Sequence, residues 1–311
     1  MMTTKLPPYY HFNPEVLRAR QQGTALVALE STVITHGLPQ PENLALAHDM
    51  EAAIRTQGAT PATIAILDDQ IHIGLDDAEL ERLAAAQDVL KISLRDFATA
   101  LVQHKLGGTT VAGTMFAAHQ AGIPIFATGG IGGVHREARM DISTDLQALA
   151  QIPMIVVCAG AKSILDLPST LEYLETVGVP VVGYGTDTFP EFFSPPGKLP
   201  VSIRLDSPAE IIRFAETHWA LGLKSAVLVC QPIPAADALP VEDAIPAEEQ
   251  ASREAIEQGI SGQKLTPFLL GRVKELTGGK SMQANLALLK NNAVLAAKIA
   301  VEMGKTKQNL A

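Results

Sequence analysis

The sequence predicts an α/β protein: a three-layer α/β/α sandwich around a largely parallel sheet, built as a single domain. Three observations predict it. Short apolar runs of strand length alternate with longer amphipathic segments along most of the chain. Several of those runs are continuously apolar, the pattern of strands covered on both faces. No internal repeat, low-complexity tract or linker divides the 311 residues, a length with ample capacity for one core.

The elements follow in order. Residues 24–32 (TALVALEST) read as a strand, and 41–58 as a helix closed by Gly58. Residues 62–67 and 70–75 form a strand pair around Asp68 and Asp69. A helix over 77–87 and a strand over 89–93 come next, then two helical segments over 95–108 and 109–122. The run 123–130 (IPIFATGG) is a strand, 141–151 (DISTDLQALAQ) a helix and 153–160 (PMIVVCAG) a strand. Residues 163–178 are helix-like with a break at Pro168, and 179–185 is a strand. The segment 186–200 carries four prolines and three phenylalanines without a period, so it reads as a long loop, either a lid or a surface crossover. Ser207 as N-cap and Pro208 at the first turn open a helix over 207–222, and a strand follows over 225–234. Two helices, 266–279 and 281–304, end the pattern. Residues 1–12 read as a flexible extension of the one domain, 1–311.

Composition narrows the function. The net charge is −9 with no long basic run, which argues against a nucleic-acid polymer as partner. A small phosphorylated molecule needs only a few local donors and stays open. No stretch reaches the ~18 apolar residues of a membrane span, and the N-terminus lacks the apolar run of a signal peptide. Both cysteines, Cys158 and Cys230, sit in strand-like runs; they read as reduced structural thiols in a cytoplasmic protein.

In open α/β sheets ligands gather at the carboxyl ends of the strands. The residues emerging there are Glu30, Lys91, Thr128 with the turn GGIGG (129–133), and Lys162. A partly desolvated lysine has a lowered pKa, and its neutral amine attacks a carbonyl or sugar carbon. Lys162, following MIVVCAGA, fits that description, although a lysine pairing with Glu30 would look the same. Glu30 follows four apolar residues, where a carboxyl can keep its proton near neutrality; an ion pair is the alternative. The glycines, Gly130 among them, allow backbone N–H groups close to a ligand, with His135 and Arg136 beside them, and equally suit a plain tight turn. Asp141 and Asp145 stand four apart with Ser143 and Thr144 between them. On a helix these carboxylates would share a face and suit an oxygen-preferring cation, or they cap the helix start.

The blocks ALESTVITHG, GATPATIAI, GGTTVAGTM, FATGGIGGVHR, DISTDLQ, VVCAGAKSILD, STLEYLETVGVPVVGY, VSIRLDS and TPFLL occur in this order. Together they closely resemble the pseudouridine-5'-phosphate glycosidase, or indigoidine synthase A-like, family, from about residue 13 to about residue 303. The resemblance implies reversible cleavage of the C–C glycosidic bond of pseudouridine 5'-phosphate to uracil and ribose 5-phosphate. It implies Mn²⁺ dependence, a homotrimer and an α/β/α fold. By that likeness Glu30 is the proton donor, Lys162 the nucleophile and Asp141 the metal ligand. Lys91, Thr110, Val111, Ser143, Thr144, Asp145 and Asn285 match substrate-site positions, and Gly130 and His135 fall in the glycine-rich block. The chain departs at Gly113, where the family often has serine, and at Thr144, where it often has alanine. The chemistry so implied opens the sugar ring, attaches the lysine at C1′ as an iminium, expels the base and frees the sugar by hydrolysis. Another Schiff-base lyase would share Lys162 without a uracil pocket, and a non-catalytic sugar-phosphate sensor would need neither Lys162 nor Glu30.

Overall fold

A computed structural model of the chain describes residues 8–136, 141–195, 197–260 and 262–309. The elements are β1 (Tyr10–Phe12), α1 (Pro14–Gln22), β2 (Leu26–Leu29), α2 (Glu42–Thr56), β3 (Thr60–Leu67), β4 (Gln70–Ile73), α3 (Asp77–Ala85) and β5 (Leu90–Ile92). There follow α4 (Phe97–Val102), β6 (Gly107–Thr109), α5 (Val111–Gln120), β7 (Ile125–Ala127), β8 (Val134–His135), α6 (Thr144–Gln151) and β9 (Ile155–Cys158). The chain continues through β10 (Leu165–Asp166), α7 (Leu167–Thr176), β11 (Val181–Tyr184), β12 (Ile203–Leu205), α8 (Pro208–Ala220) and β13 (Val227–Cys230). It closes with α9 (Val241–Glu257), α10 (Leu265–Leu276) and α11 (Lys280–Asn309).

The main sheet runs β1-β4-β3-β2-β7-β9-β13-β11-β12, with β6 joined to β3 and β5 to β6. From β2 to β12 every neighbouring pair is parallel. Every residue of β2, β7, β9 and β13 is buried. That matches their unbroken apolar character, because both faces are covered. Helix α11 lies on one face against β2, β7 and β9 with α2 and α8 beside it; α5 packs against β2, β3 and β7, with α6 and then α7 alongside. The result is the three-layer α/β/α arrangement. Each fully buried aliphatic side chain contributes about 1.5–3 kcal/mol, so the central strands form a stiff platform for whatever stands at their ends.

The order of the strands places the functional crevice. From β2 the chain builds outward through β3 and β4 to one edge, then returns to β7 and builds toward the other. Neighbours β2 and β7 therefore flank the topological switch point, where the loops leave in opposite directions and open a cleft.

Several local expectations change. Tyr10–Phe12 is an edge strand on β4, so the extension expected over 1–12 is structured at that end; residues 1–7 lie outside the described residues. Pro168 does not break a helix. Asp166 caps α7 by accepting from the Ser169 amide at 2.9 Å, and Pro168 occupies the first turn, where its missing N–H costs nothing. Helix α6 starts only at Thr144, with Ser143 as N-cap, so Asp141 precedes it and shares no helical face with Asp145. The segment around 186–200 is no simple surface crossover. Phe189, Phe192 and Phe193 are buried, and the Phe192 amide donates to the Ala159 carbonyl at 3.0 Å.

Candidate active site

The end of β2 delivers Glu30 and the end of β7 delivers Thr128, side by side across the switch point. The Glu30 carboxylate bridges the two. Thr32 donates to Oε2 and Thr128 donates to Oε1. The carboxyl is thus fixed in orientation, with each oxygen addressed by a hydroxyl.

Lysine 162 is held by backbone pairing that continues past β7 and β9. The Ala159 amide donates to the Gly129 carbonyl at 2.8 Å, the Ile131 amide to Gly160 at 3.0 Å and the Lys162 amide to Ile131 at 3.1 Å. The two loops therefore support one another. Gly160 takes φ +83°, and a Cβ there would collide with the Pro190 carbonyl. Only glycine combines that left-handed backbone with so close an approach. From α11, the Asn292 amide group donates to the Thr128 carbonyl at 2.9 Å and to Gly129 at 3.3 Å.

Lysine 91 arrives from the other side. Strand β5 pairs with β6, and β6 runs antiparallel to β3. This side ribbon carries Lys91 to the same floor. Burial holds its ammonium below the ordinary lysine pKa, and the neighbouring Lys162 charge adds to the effect; Asp145 and Glu30 oppose it.

Around this floor lies a two-lobed cavity. The inner lobe, about 540 Å³, is lined by Gly129, Gly130, Phe192, Pro267, Leu270, Leu289 and Asn285 together with Val33, His36 and Gly37. The outer lobe, about 1150 Å³ and open to solvent, is lined by Ser93, Arg95, Asp96, Thr110, Val111, Gly132, His135, Asp141, Ser143, Thr144 and Asp145. Glu30, Thr32, Lys91, Lys162 and Thr266 line both. Glu30, Lys91, Thr110, Val111, Gly130, His135, Asp141, Ser143, Thr144, Asp145, Lys162 and Asn285 thus line one cavity, although they come from widely separated parts of the chain.

Two carboxylates in the outer lobe differ in kind. Asp145 is buried, and its oxygens accept the amides of Ala112 at 2.9 Å and Gly132 at 2.8 Å. It ties the first turn of α5 to the glycine-rich loop, and a Cβ at Gly132 would overlap the Ser143 hydroxyl. Asp141 only half-buries and sits beside His135, whose amide donates to the Asp141 carbonyl at 3.1 Å. Burial lowers the His135 pKa, opposed by the Asp141 charge. Thr110 caps α5, accepting from the Gly113 amide at 3.2 Å, which leaves the Val111 amide in the first turn as a natural donor to an anion. Gly113 lets that turn sit close: a Cβ there would stand 2.5 Å from the Ile92 carbonyl.

Arg136 departs from expectation. Instead of lining the cavity, its guanidinium donates to the carbonyls of Leu165 at 3.1 Å and Ser163 at 2.5 Å and pairs with Glu248 on α9 at 3.2 Å. Other contacts were not foreseen from the sequence. Thr32 and Thr128, both near the strand ends, orient Glu30, and Phe192 and Leu289 wall the inner lobe. His36 contacts the Val89 carbonyl at 3.1 Å, with its pKa lowered by burial and by Lys91. The LEST and FATGG blocks contained the two threonines, but no spacing rule ties position 32 to position 128.

Comparison with known proteins identifies the chain's relatives. The family model described as "Indigoidine synthase A like protein" matches residues 15–302. A protein of Geobacillus kaustophilus named pseudouridine-5'-phosphate glycosidase is 55% identical over 294 residues, 94% of this chain and 98% of the relative. A protein of Solibacter usitatus with the same name is 54% identical over 293 residues, with coverage of 94% and 98%. Among solved structures, the prealnumycin C-glycosynthase AlnA in complex with ribulose 5-phosphate superposes with a TM-score of 0.89 at 37% identity, covering 97% of this chain and 99% of that one. An indigoidine synthase A-like protein from Thermotoga maritima gives 0.86 at 34% identity, covering 95% and 96%. The chain therefore belongs to the indigoidine synthase A-like family.

Proposed function

We infer that this protein is a pseudouridine-5'-phosphate glycosidase, cleaving the C–C bond between C1′ of ribose 5-phosphate and C5 of uracil, reversibly. The observation that carries the reading is the common floor of Glu30, Lys91 and Lys162 between a polar and a largely apolar lobe. Relatives at 55% and 54% identity over nearly the whole chain bear that name, and the related AlnA structure holds a ketopentose phosphate.

A carbon leaving group is poor, so the bond needs an electron source at C1′. Glu30, oriented by its two threonines, protonates the ring oxygen as the ribose ring opens. The Lys162 amine bonds to C1′. The nitrogen lone pair then forms C=N⁺ as the C1′–C5 bond breaks, and its electron pair stays on C5 of uracil, which takes up a proton. Water hydrolyses the iminium, releasing ribose 5-phosphate and restoring Lys162. Lys91, with Thr110, the Val111 amide, His135, Ser143, Thr144 and Asp145, lines the lobe for the sugar phosphate. Gly130 and Asn285 line the lobe for the base.

The donor set in the outer lobe fits a hard cation. Both Asp145 oxygens are taken by backbone amides, whereas Asp141 offers a carboxylate beside the hydroxyl-bearing Ser143 and Thr144. One carboxylate plus waters is characteristic of Mg²⁺ or Mn²⁺ sites near phosphates, and we assign Mn²⁺ to Asp141. Such an ion would supply charge neutralisation for the phosphate. Cytoplasmic location and a homotrimer belong to the same reading; among the described residues no helix is long and apolar enough to cross a membrane.

The test is uracil release from pseudouridine 5'-phosphate by the chelator-treated protein, with and without added Mn²⁺. Release that returns with Mn²⁺ in the native chain and not in Asp141→Ala supports the assignment. No release under any metal condition, with binding of ribose 5-phosphate retained, would instead mark a sensor.

A further inference from the structure

At the β1 edge of the sheet a different cluster stands. The parallel register of β1 and β4 sets His11 directly against His72. Their ring centroids lie 4.6 Å apart with 36° between the planes. Helix α3 brings Glu79 to the same spot. Its carboxylate is half committed: Oε2 accepts the Asp76 amide at 2.9 Å in the helix capping box, which aims Oε1 at the imidazole. Oε1 stands 2.8 Å from Nδ1 of His72.

That approach is a charge contact, not an aligned hydrogen bond. His72 is only 5% exposed, and among the described residues neither of its ring nitrogens has a hydrogen-bond partner of acceptable geometry. The buried imidazole loses the hydration of both nitrogens and regains only the Glu79 contact at Nδ1, with nothing at Nε2. One donor atom from each of His11, His72 and Glu79 lies within 4.8 Å of the others, so a single ion could meet all three after small side-chain movements.

We propose that His11, His72 and Glu79 form a second cation site, selective for a borderline transition metal of the Zn²⁺ type, that clamps the N-terminal edge strand to α3. The donor set selects the class: two imidazoles and one carboxylate suit Zn²⁺ and its transition-metal neighbours, whereas Mn²⁺ and Mg²⁺ favour all-oxygen surroundings such as Asp141. Asp68 cannot join as a fourth ligand without breaking its own pairing, because both its oxygens hold the Arg82 guanidinium at 2.9 Å. It still places negative charge near His72. The remaining coordination falls to water, which reaches the site past exposed His11. Burial favours the neutral form of His72, the form that ligates. The mechanical consequence is specific. Among the described residues strand β1 has three residues and pairs only with β4 in the main sheet, so an ion there would fasten this edge strand.

The full chain, stripped with chelator, should be titrated with Zn²⁺ by calorimetry and melted with and without it. The wild type is expected to bind one equivalent here and to melt higher. His11→Ala, an exposed position that should not prevent folding, is expected to weaken this binding by more than about tenfold. It should also remove the melting gain and leave uracil release unchanged. Glu79→Gln retains the acceptor for the Asp76 amide, so the helix cap persists while the ligand charge is lost, and it should weaken Zn²⁺ likewise. No Zn²⁺ uptake by the wild type, or equal uptake and melting gain in both variants, overturns the site; the second outcome would place the zinc elsewhere, as at Asp141.

Discussion

The inner lobe presents Phe192, Pro267, Leu270 and Leu289 around a glycine turn, while the outer lobe presents Arg95, Asp96, His135 and Asp141. They share one floor, Glu30, Lys91 and Lys162. A flat, uncharged base and a doubly charged phosphate ask for these different surroundings. On the proposed reading, the bond between base and sugar lies over the floor, beside Glu30 and Lys162. The contrast teaches that the functional groups are placed by where two environments meet, and the variants below ask whether that junction holds.

The largest effect belongs to Lys162. Arginine keeps the charge but cannot form an imine, so Lys162→Arg should lower turnover by on the order of 10⁴-fold or more while the chain stays folded. Borohydride added with substrate should trap a reduced adduct, and peptide mapping should find it on Lys162. An adduct on Lys91 would exchange the roles of the two floor lysines.

Next comes Glu30. Glu30→Gln preserves the shape and the acceptor for one threonine but removes the acid, with an expected loss of about 10²–10⁴-fold in turnover. A loss well under tenfold would leave Glu30 as a brace between β2 and β7.

Lys91 sharpens the outer lobe through pH. Its pKa lies below the ordinary lysine range because of burial and Lys162. Phosphate favours the charged form, so affinity is full below that lowered pKa and falls as pH rises through it. KM should therefore climb with pH, toward about tenfold per unit at the limit, earlier than an ordinary lysine would allow. Lys91→Arg should push the climb to higher pH. A KM unchanged across the alkaline range in the wild type would remove Lys91 from phosphate binding.

The smallest effect is on stability. Asp145→Asn turns one amide acceptor into a donor facing an N–H, at a cost of about 1–3 kcal/mol. The urea midpoint should fall accordingly, and KM should rise because the α5 turn and the glycine loop lose their tie. An unchanged midpoint would mean the two amides find other partners.

Much of this was legible along the chain. Continuous apolar runs at 26–29, 125–127, 155–158 and 227–230 marked strands buried on both faces. Glu30 and Thr128 directly after two of those runs, and Lys162 just beyond a third, marked the rim, because strand ends in such sheets point into one crevice. Ser143 and Ser207 worked as caps because a short hydroxyl side chain satisfies orphan amides locally. Other elements escaped. Helix α9 contains Pro246, and β6 is a Gly-Gly-Thr run with little strand character; both are held by neighbours rather than by propensity. What the amino-acid sequence determined by itself was therefore local: the period, the caps, the strand-end residues and, through a series of similar blocks in the same order, the family. Only the tertiary structure decided that Thr128 would hold Glu30 and that Asp145 would spend both oxygens on backbone amides. It alone turned Arg136 toward α9 and set His11 against His72. Those pairings join residues tens of positions apart, and their partners follow from strand order and register, which packing of the whole core sets and no short window of residues encodes.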